Sequence, residues 1–298
     1  YCTQNGVQIR QAVVTDLRIQ EQTVTGVRCE DGTEYFSKHV VIACGGMSYP
    51  ATGSTGDGYR LAQQAGHTIT ELRPSLVSLV ANGKDCPALQ GLSLKNVAIH
   101  VTDTKKKKEI YDDFGEMMFT HYGVTGPMIL SASSHMRTME PNRYQISIDL
   151  KPALSLEQLD TRLQKDFAEN QNKDFINSLG ALLPRKLIPV MVAKSGIAPN
   201  QKCNQITKEQ RRRFAQELKG FNVMIKGFRP IDEAIITSGG VSVKEISPKT
   251  MESKLVKGLY FAGEVIDADA YTGGFNLQIA FSTGYLAATA IAQAQWEM

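Results

Sequence analysis

The most informative stretch of this sequence is KGLYFAGEVIDADAYTGGFNLQIAFS, residues 257–282. A short apolar run from Leu259 to Ala262 ends in Gly263 and Glu264, and a glycine pair then precedes a run of small residues over 277–294. The pattern predicts a buried strand, a loop that carries carboxylates, and a helix whose first turn has few side chains. Such a helix start offers free N–H groups and a positive dipole end to an anion or an electron-rich ring. We therefore interpret the stretch as one side of a nucleotide-cofactor site.

A second segment has the same organisation. The apolar run His39–Cys44 is typical of a strand buried on both faces of a parallel sheet, and it leads into Gly45 and Gly46. Glycines at a strand end let the backbone approach a flat or phosphorylated ligand closely. Asp57 begins the next predicted helix, where it either supports a cofactor loop or is a carboxylate that the helix dipole favours. Two such units in one chain favour a ligand site over a solvated acidic loop.

The rest of the sequence predicts a nested organisation of mixed α/β and α+β character. Short strands are predicted at Val7–Val14 and over 17–29, with a hairpin turn at Asp31-Gly32. Turn-rich strands follow, and a helical region begins where Ser155 is placed to cap a helix. We expect three domains: residues 1–72 with 255–298, a β-rich domain of residues 73–151 with 222–254, and a helical insert of residues 152–221.

Composition excludes several classes of protein. The 298 residues carry a net charge of +3, 42% hydrophobic and 21% charged residues, which is ordinary for a globular protein. The basic clusters Lys105–Lys108 and Arg211–Arg213 are interpreted as a hairpin tip and a solvated helix face. No apolar run approaches the ~18 residues that span a membrane. Five cysteines without CxxC or CxxH spacing predict neither zinc nor disulfides, and they fit a reducing cytoplasm.

The third segment that could carry chemistry is Phe119–Pro127, which contains His121 and Tyr122. A His–Tyr pair could transfer protons or bind a substrate oxyanion. A hydrogen-bonded histidine in a loop that links two domains is an equally good interpretation. Pro127 is placed to open a helix.

Together these segments resemble the BaiN/YhiN-like flavoproteins, a family of NAD(P)/FAD-dependent oxidoreductases of aminoacetone-oxidase type. The resemblance covers essentially the whole chain, and the matching segments are 43–59, 119–127, 236–241 and 258–278. It implies a glutathione-reductase-type FAD-binding domain, an inserted β-barrel-like domain and a nested small helical domain. It also implies that the first glycine loop lies against FAD, that the second approaches its ribityl-pyrophosphate region, and that the helix start after Thr272 approaches the flavin. The implied cofactor residues are Gly45, Gly46, Thr55, Asp57, Gly263, Glu264, Asp267, Gly274, Phe275 and Asn276.

The sequence departs from this family at its start. Family members open with a strand, GxGxxG and a helix, the unit that holds the ADP half of FAD; this sequence contains no GxGxxG. Because it begins at Tyr1 without an initiator methionine, we expect a truncated FAD-binding domain that lacks roughly a hundred residues. The strand at His39–Cys44 is then expected to expose an edge, and this chain to bind FAD weakly or not at all.

The function implied by the resemblance is an FAD-dependent oxidoreductase that acts on a small molecule, with His121 and Tyr122 as proton-handling residues and NAD(P)H as a reductant. The alternative is a flavoprotein associated with nucleic acid, of the tRNA-modifying type, in which Arg185, Lys186 and Arg211–Arg213 make the insert an RNA platform. The weak net charge and few aromatic residues argue against it. A third interpretation is a structural module without a cofactor. The sequence predicts no metal site, and it leaves the substrate and the oligomeric state open.

Overall fold

The computed structural model describes the backbone of residues 3–296 and side chains up to residue 294. Tyr1 and Cys2 therefore lie outside the described residues. The chain divides into two compact units: the first runs up to Ser75 and resumes at Pro230, and the second is Leu76–Arg229.

The elements alternate between short strands and helices along the chain. The strands are β1 Val14–Gln20, β2 Thr23–Cys29, β3 Glu34–Phe36, β4 Val40–Ile42, β5 Arg73–Ser75, β6 Leu79–Ala81, β7 Ser93–Asp103, β8 Lys108–Phe119, β9 Gly123–Thr125, β10 Tyr144–Asp149, β11 Phe221–Phe228, β12 Ile236–Ser238 and β13 Leu259–Phe261. The helices are α1 Asp57–Gln64, α2 Asp85–Ala88, α3 Pro127–His135, α4 Leu156–Glu169, α5 Phe175–Ser178, α6 Ile188–Ser195, α7 Lys208–Lys219 and α8 Phe275–Trp296.

The first unit is built around a parallel pair of strands. β4 and β13 run side by side, with Val40 opposite Leu259 and Ile42 opposite Phe261. An antiparallel sheet β1-β2-β3 and an antiparallel pair β5-β12 complete its strands within the described residues. The core between these strands and α1 is apolar and includes Ile42, Leu61, Phe261 and Val265. This packing fixes where the loops after β4 and β13 begin.

Two strand predictions in this unit were wrong in part. Residues 7–13 form no strand, and β1 begins only at Val14. Val7, Ile9 and Val13 are 50%, 76% and 56% exposed, so half or more of the surface of each residue packs against no other part of the described chain. The predicted strand His39–Cys44 is three residues long and is not buried on both faces, because Val41 remains 41% exposed. Among the described residues β4 pairs with β13 alone, so its other edge carries no ladder.

A buried polar network also holds the first unit together. The His67 ring lies between Ser253 Oγ, 2.7 Å from Nε2, and Glu245 Oε2, 3.2 Å from Nδ1. Ser253 Oγ accepts the backbone N–H groups of Leu255 and Val256 at 3.0 and 2.9 Å. Both lone pairs of Ser253 Oγ are thereby engaged. The hydrogen-bonded chain of Ser253, His67 and Glu245 is therefore structural, and Ser253 is not placed to act as a nucleophile. Burial lowers the pKa of His67 and keeps the ring neutral.

The second unit is a closed antiparallel barrel with helices attached. Its strand order is β10-β11-β6-β9-β8-β7, closed by β7 against β10. Residues 104–107 form the tip of the β7–β8 hairpin, as the lysine cluster predicted. Ser155 caps α4 through a reciprocal pair of hydrogen bonds with Gln158, also as predicted. The mixed α/β class and the barrel are thus confirmed, whereas the truncation and the nested domain bounds stay predictions.

The helical region is less regular than its sequence pattern indicates. Within the predicted helical insert, α5 is only four residues long and passes into a 3-10 turn after Ser178, and α6 begins at Ile188. Pro189 sits in the first turn of α6, where its missing N–H costs nothing. Within residues 3–296 no helix combines the length and hydrophobicity needed to cross a membrane.

Candidate functional site

The candidate site lies in the first unit, at the edge where β4 and β13 both end. The two strands are parallel neighbours, so the loops that follow them leave the same edge of the sheet. The first loop leads into α1 at Asp57 and the second into α8 at Phe275. In open α/β sheets ligands bind outside the carboxyl ends of the strands. All ten predicted cofactor residues lie on these two loops or in the first turns of these two helices.

The side chains of Glu264 and Thr237 tie the two loops together. The backbone N–H of Thr237, on β12, donates to Glu264 Oε1 at 2.7 Å. Thr237 Oγ1 in turn accepts the N–H groups of Met47 at 2.8 Å and of Ser48 at 3.1 Å. Ser48 and Thr237 are buried, with 4% and 2% exposure. β12 therefore connects the loop after β4 to the loop after β13.

The glycine at position 46 is required by this connection. A Cβ atom at Gly46 would lie 2.5 Å from Thr237 Oγ1 and 2.8 Å from Glu264 Oε1, closer than atoms can approach. Gly58, in α1, is similarly crowded, since its Cβ would lie 2.9 Å from Val265 Cγ2. Both glycines thus allow close packing of the chain's own groups. Between the two loops, the structure brings the predicted cofactor residues Gly46 and Glu264 close together.

The Glu264 carboxyl is the acid of the site whose pKa lies above its ordinary value. Burial raises its pKa, and the hydrogen bond from the Thr237 N–H opposes that rise. Its Oε2 atom accepts no hydrogen bond from the described residues. One oxygen is therefore structural, while the other is available to a hydroxyl or a proton.

Tyr59 adds a buried polar atom that the described part of the chain leaves unsatisfied. Its hydroxyl, on α1, has no hydrogen-bond partner there, although the residue is only 5% exposed. Burial raises its pKa, and the negative charges of Glu264 and Asp267 raise it further. The hydroxyl is therefore neutral and can both donate and accept. A buried polar group without a protein partner is one that the hydroxyl of a bound molecule can satisfy.

Asp57 and Thr55 form a local pair at the start of α1. Thr55 Oγ1 donates to Asp57 Oδ2 at 2.6 Å, and this bond is the largest cause of the lowered pKa of Asp57. Arg60 also contacts Asp57, and its guanidinium donates to the carbonyls of Val14 and Thr15. The Asp57 side chain is 48% exposed. Its hydrogen bonds order the loop, and they leave the cofactor interpretation open.

The loop before α8 is closed by its own side chains. Asn276 accepts the N–H of Ala270 and donates to its carbonyl, both at 2.8 Å. Gly263 N–H donates to Thr283 Oγ1 at 2.9 Å. Gly274 faces open space where a Cβ would be, and the Phe275 side chain is 58% exposed. The outer side of the helix start is thus exposed, and its contact with a cofactor stays a prediction.

His121 and Tyr122 lie in the second unit, in the turn between β8 and β9. Their rings meet edge to face with centroids 4.9 Å apart, and the Arg229 guanidinium lies 4.6 Å from the Tyr122 ring centroid. His121 is exposed. Their role in proton transfer stays a prediction.

Sequence reasoning missed Thr237, Ser48 and Tyr59. A signal was present in Thr237-Ser-Gly-Gly, where two glycines follow a short apolar run. A Cβ at Gly239 would lie 2.2 Å from the Glu71 carbonyl oxygen, and one at Gly240 would lie 2.6 Å from that of Val265. The two glycines therefore allow the chain after β12 to pass close to the backbone at Glu71 and at Val265. Within residues 3–296, no group of three or more metal-binding side chains occurs.

A parallel strand pair that leads through glycine-rich loops into two helices defines a Rossmann-type α/β unit. The chain belongs to the family described as HI0933-like protein Rossmann domain, whose family model matches residues 1–290. Its relatives include the 3-dehydro-bile acid delta(4,6)-reductase of Clostridium scindens, which is 30% identical over 294 residues. The match covers 93% of this chain and 71% of that protein.

Two further relatives are ribosomal RNA dihydrouridine synthases. The Haemophilus influenzae protein is 32% identical over 297 residues, which is 98% of this chain and 70% of that protein. The Escherichia coli protein is 32% identical over 250 residues, which is 84% of this chain and 59% of that protein. Among solved structures, two crystal forms of Aquifex aeolicus GidA match with TM-scores of 0.32 and 0.33 at 13% identity, covering 94% of this chain and 43% and 46% of those chains. Scores this low support no argument.

Proposed function

We propose that this chain contributes the flavin-and-ribityl side of an FAD site in an oxidoreductase. The observation that carries the proposal is the connection of two glycine-rich loops at one sheet edge through Glu264 and Thr237. Membership of a Rossmann-domain family and a relative named as a reductase support it.

The residues present fit such a group. A ribityl chain is rich in hydroxyls, and the free Oε2 of Glu264 and the unpartnered Tyr59 hydroxyl are suitable partners for hydroxyls. The side chain of Asp267 and the open helix start at Gly274 add an acceptor and room for a flat ring. The proposed cofactor residues are Gly45, Gly46, Thr55, Asp57, Gly263, Glu264, Asp267, Gly274, Phe275 and Asn276. When bound, FAD would supply the hydride-transfer chemistry, while the protein binds and orients it.

The names of the relatives suggest a reaction type. A delta(4,6)-reductase and a dihydrouridine synthase are both named for adding hydrogen to a carbon–carbon double bond. We propose the same reaction for this protein: one ring carbon receives a hydride and its neighbour a proton, with NAD(P)H as the ultimate reductant. His121 and Tyr122 are the proposed proton donors.

The binding proposal can be tested by titrating the chain with FAD and with riboflavin and following flavin fluorescence. Since the 298 residues contain no GxGxxG unit for the ADP half, we expect weak binding and similar affinities for the two ligands. Glu264→Gln keeps an acceptor for Thr237 but removes a charged partner for a hydroxyl, which is worth about 1.5 kcal/mol or about tenfold in affinity. The matched control is Glu209→Gln in the second unit, which should change nothing. Equal affinities of all three proteins would contradict the proposed site.

A second candidate function is a flavoprotein that modifies RNA. The observation that favours it is that two relatives, at 32% identity, are named ribosomal RNA dihydrouridine synthases. A bile acid and an RNA base differ in what surrounds the reacting ring, so RNA as substrate requires a surface for its backbone. Salt-dependent binding of RNA to the full chain tests this candidate, and the absence of binding at low salt removes it.

A further inference from the structure

The helical region of the second unit is much more basic than the chain as a whole. Residues 152–221 contain 12 Lys and Arg against 7 Asp and Glu, whereas the chain as a whole has a net charge of +3. The rest of the chain is therefore slightly acidic. A local excess of positive charge of this size attracts a polyanion, even when the net charge of the whole chain is too small to do so.

Ion pairs account for part of this excess. Arg211 is held by Asp160 through two hydrogen bonds of 2.8 and 3.1 Å, and its side chain is only 13% exposed. Lys194 pairs with Asp85 of α2, and Lys219 pairs with Asp149 of the barrel strand β10. These cations are structural. Arg211 therefore does not belong to the solvated face predicted for the Arg211–Arg213 run.

Three of the remaining cations lie on one flank of α7. Lys208, Arg212 and Arg213 are exposed, and within the described residues none has a carboxylate at ion-pair distance. Lys208 and Arg212 are one helical turn apart, so they lie on the same face. Together with Glu209 and Gln216 they line a cleft of about 560 Å³. Three cations therefore border one shallow concavity.

The scaffold beneath this flank is rigid. Phe214, Ala215 and Leu218 of α7 are fully buried. Thr207 and Gln210 fix the start of the helix through a reciprocal pair of capping hydrogen bonds. The three basic side chains are thus presented from a fixed helix rather than from a loop.

We propose that the flank of α7 formed by Lys208, Arg212 and Arg213 binds the phosphate backbone of structured RNA; this inference rests on the second candidate function above. Arginine forks match phosphate oxygens bidentately, and a lysine adds a point charge. Helical RNA is recognised mainly through its shape and its phosphates rather than its base edges, which agrees with the lack of aromatic side chains around this cleft. The flank positions the RNA, while base recognition belongs to another part of the protein.

The test is a fluorescence-anisotropy titration of the full chain with a fluorescein-labelled RNA stem-loop over a range of salt concentrations. The variant is Lys208→Gln with Arg212→Gln and Arg213→Gln. The matched control, Lys106→Gln with Lys107→Gln and Lys108→Gln, removes the same charge from the exposed barrel hairpin. Far-UV circular dichroism and urea midpoints verify that both variants are folded.

We expect the α7 variant to lose about tenfold or more in affinity at physiological salt. Its log–log salt slope should fall by about 2 to 3, the value for three lost phosphate contacts, and the control should stay close to the wild-type protein. Equal losses in the two variants would refute the surface but leave the RNA function standing. No binding of the wild-type chain at low salt would refute both, and it would leave the flavin proposal to its own titration.

Discussion

Replacing Gly46 by alanine tests how the two loops of the site are held together. The new Cβ would lie 2.5 Å from Thr237 Oγ1, 2.7 Å from Thr237 Cβ and 2.8 Å from Glu264 Oε1. Gly46 does not have a positive φ, so alanine causes no backbone strain at this position. The loss of stability on substitution therefore reports the steric clash of the new Cβ. Something must move, because Thr237 is buried and Glu264 is half-buried.

The magnitude follows from the contacts that are disturbed. Forcing a methyl group into a packed site costs about 1–3 kcal/mol. Moving Thr237 also weakens the bond from its N–H to Glu264 and the bond that its Oγ1 accepts from Met47, each worth about 1 kcal/mol. We expect Gly46→Ala to lower the free energy of unfolding of the first unit by about 2–4 kcal/mol.

The assay is urea unfolding of the full chain, followed by circular dichroism and by proteolysis of the first unit. The matched control is Gly284→Ala, in the interior of α8, where a Cβ meets nothing within 4 Å. That variant should be more stable by about 0.5–1 kcal/mol, because alanine favours the helix. A loss below about 0.5 kcal/mol for Gly46→Ala would refute the close packing of Gly46, Thr237 and Glu264.

The remaining predictions concern buried polar groups of the first unit. Burial lowers the pKa of His67 in the folded chain, and the hydrogen bond from the Thr68 N–H lowers the pKa of Glu245. As the pH drops, the unfolded chain therefore binds protons at these two groups before the folded chain does. The free energy of unfolding should fall as the pH drops below about 6.5, the ordinary pKa of histidine. Urea midpoints between pH 8 and pH 4 should show this fall, and His67→Gln should flatten its upper part; an unchanged profile contradicts the assignment. Ser253→Ala should cost about 1–3 kcal/mol, because it removes the partner of His67 and the acceptor of two N–H groups; a urea midpoint equal to that of the wild-type protein speaks against this role. Tyr59→Phe should leave the chain as stable or about 1 kcal/mol more stable without flavin, yet weaken flavin binding; a large loss of stability would show that the hydroxyl has a partner in the protein.

Much of the site's position could be predicted from the sequence, because it depends on local patterns. Apolar runs that end in glycine, at Ala262-Gly263 and Cys44-Gly45, mark strand ends, and both strands were found near their predicted positions. Capping residues such as Ser155 located helix starts for the same reason: their effect depends only on the next few residues.

The parts that could not be predicted depend on contacts between distant segments. Thr237 acts on Met47 and Ser48 across 190 positions, and neither partner has a distinctive pattern of its own. Val7 and Ile9 have strand-like side chains, but they pair with no strand of the described residues, which their own sequence does not reveal. Arg211 forms an ion pair whereas Arg212 and Arg213 are exposed. This difference also depends on a tertiary contact, because Asp160, the partner of Arg211, lies on α4.

The most direct test of the flavin proposal is hydrogen–deuterium exchange of the full chain with and without FAD, resolved by peptide mass spectrometry. If the loops after β4 and β13 hold the cofactor, backbone exchange should slow in residues 43–58 and 263–278 together. It should stay unchanged in the hairpin around residues 104–107. Unchanged exchange in both segments at the highest soluble FAD concentration, or protection confined to other residues, would contradict the account.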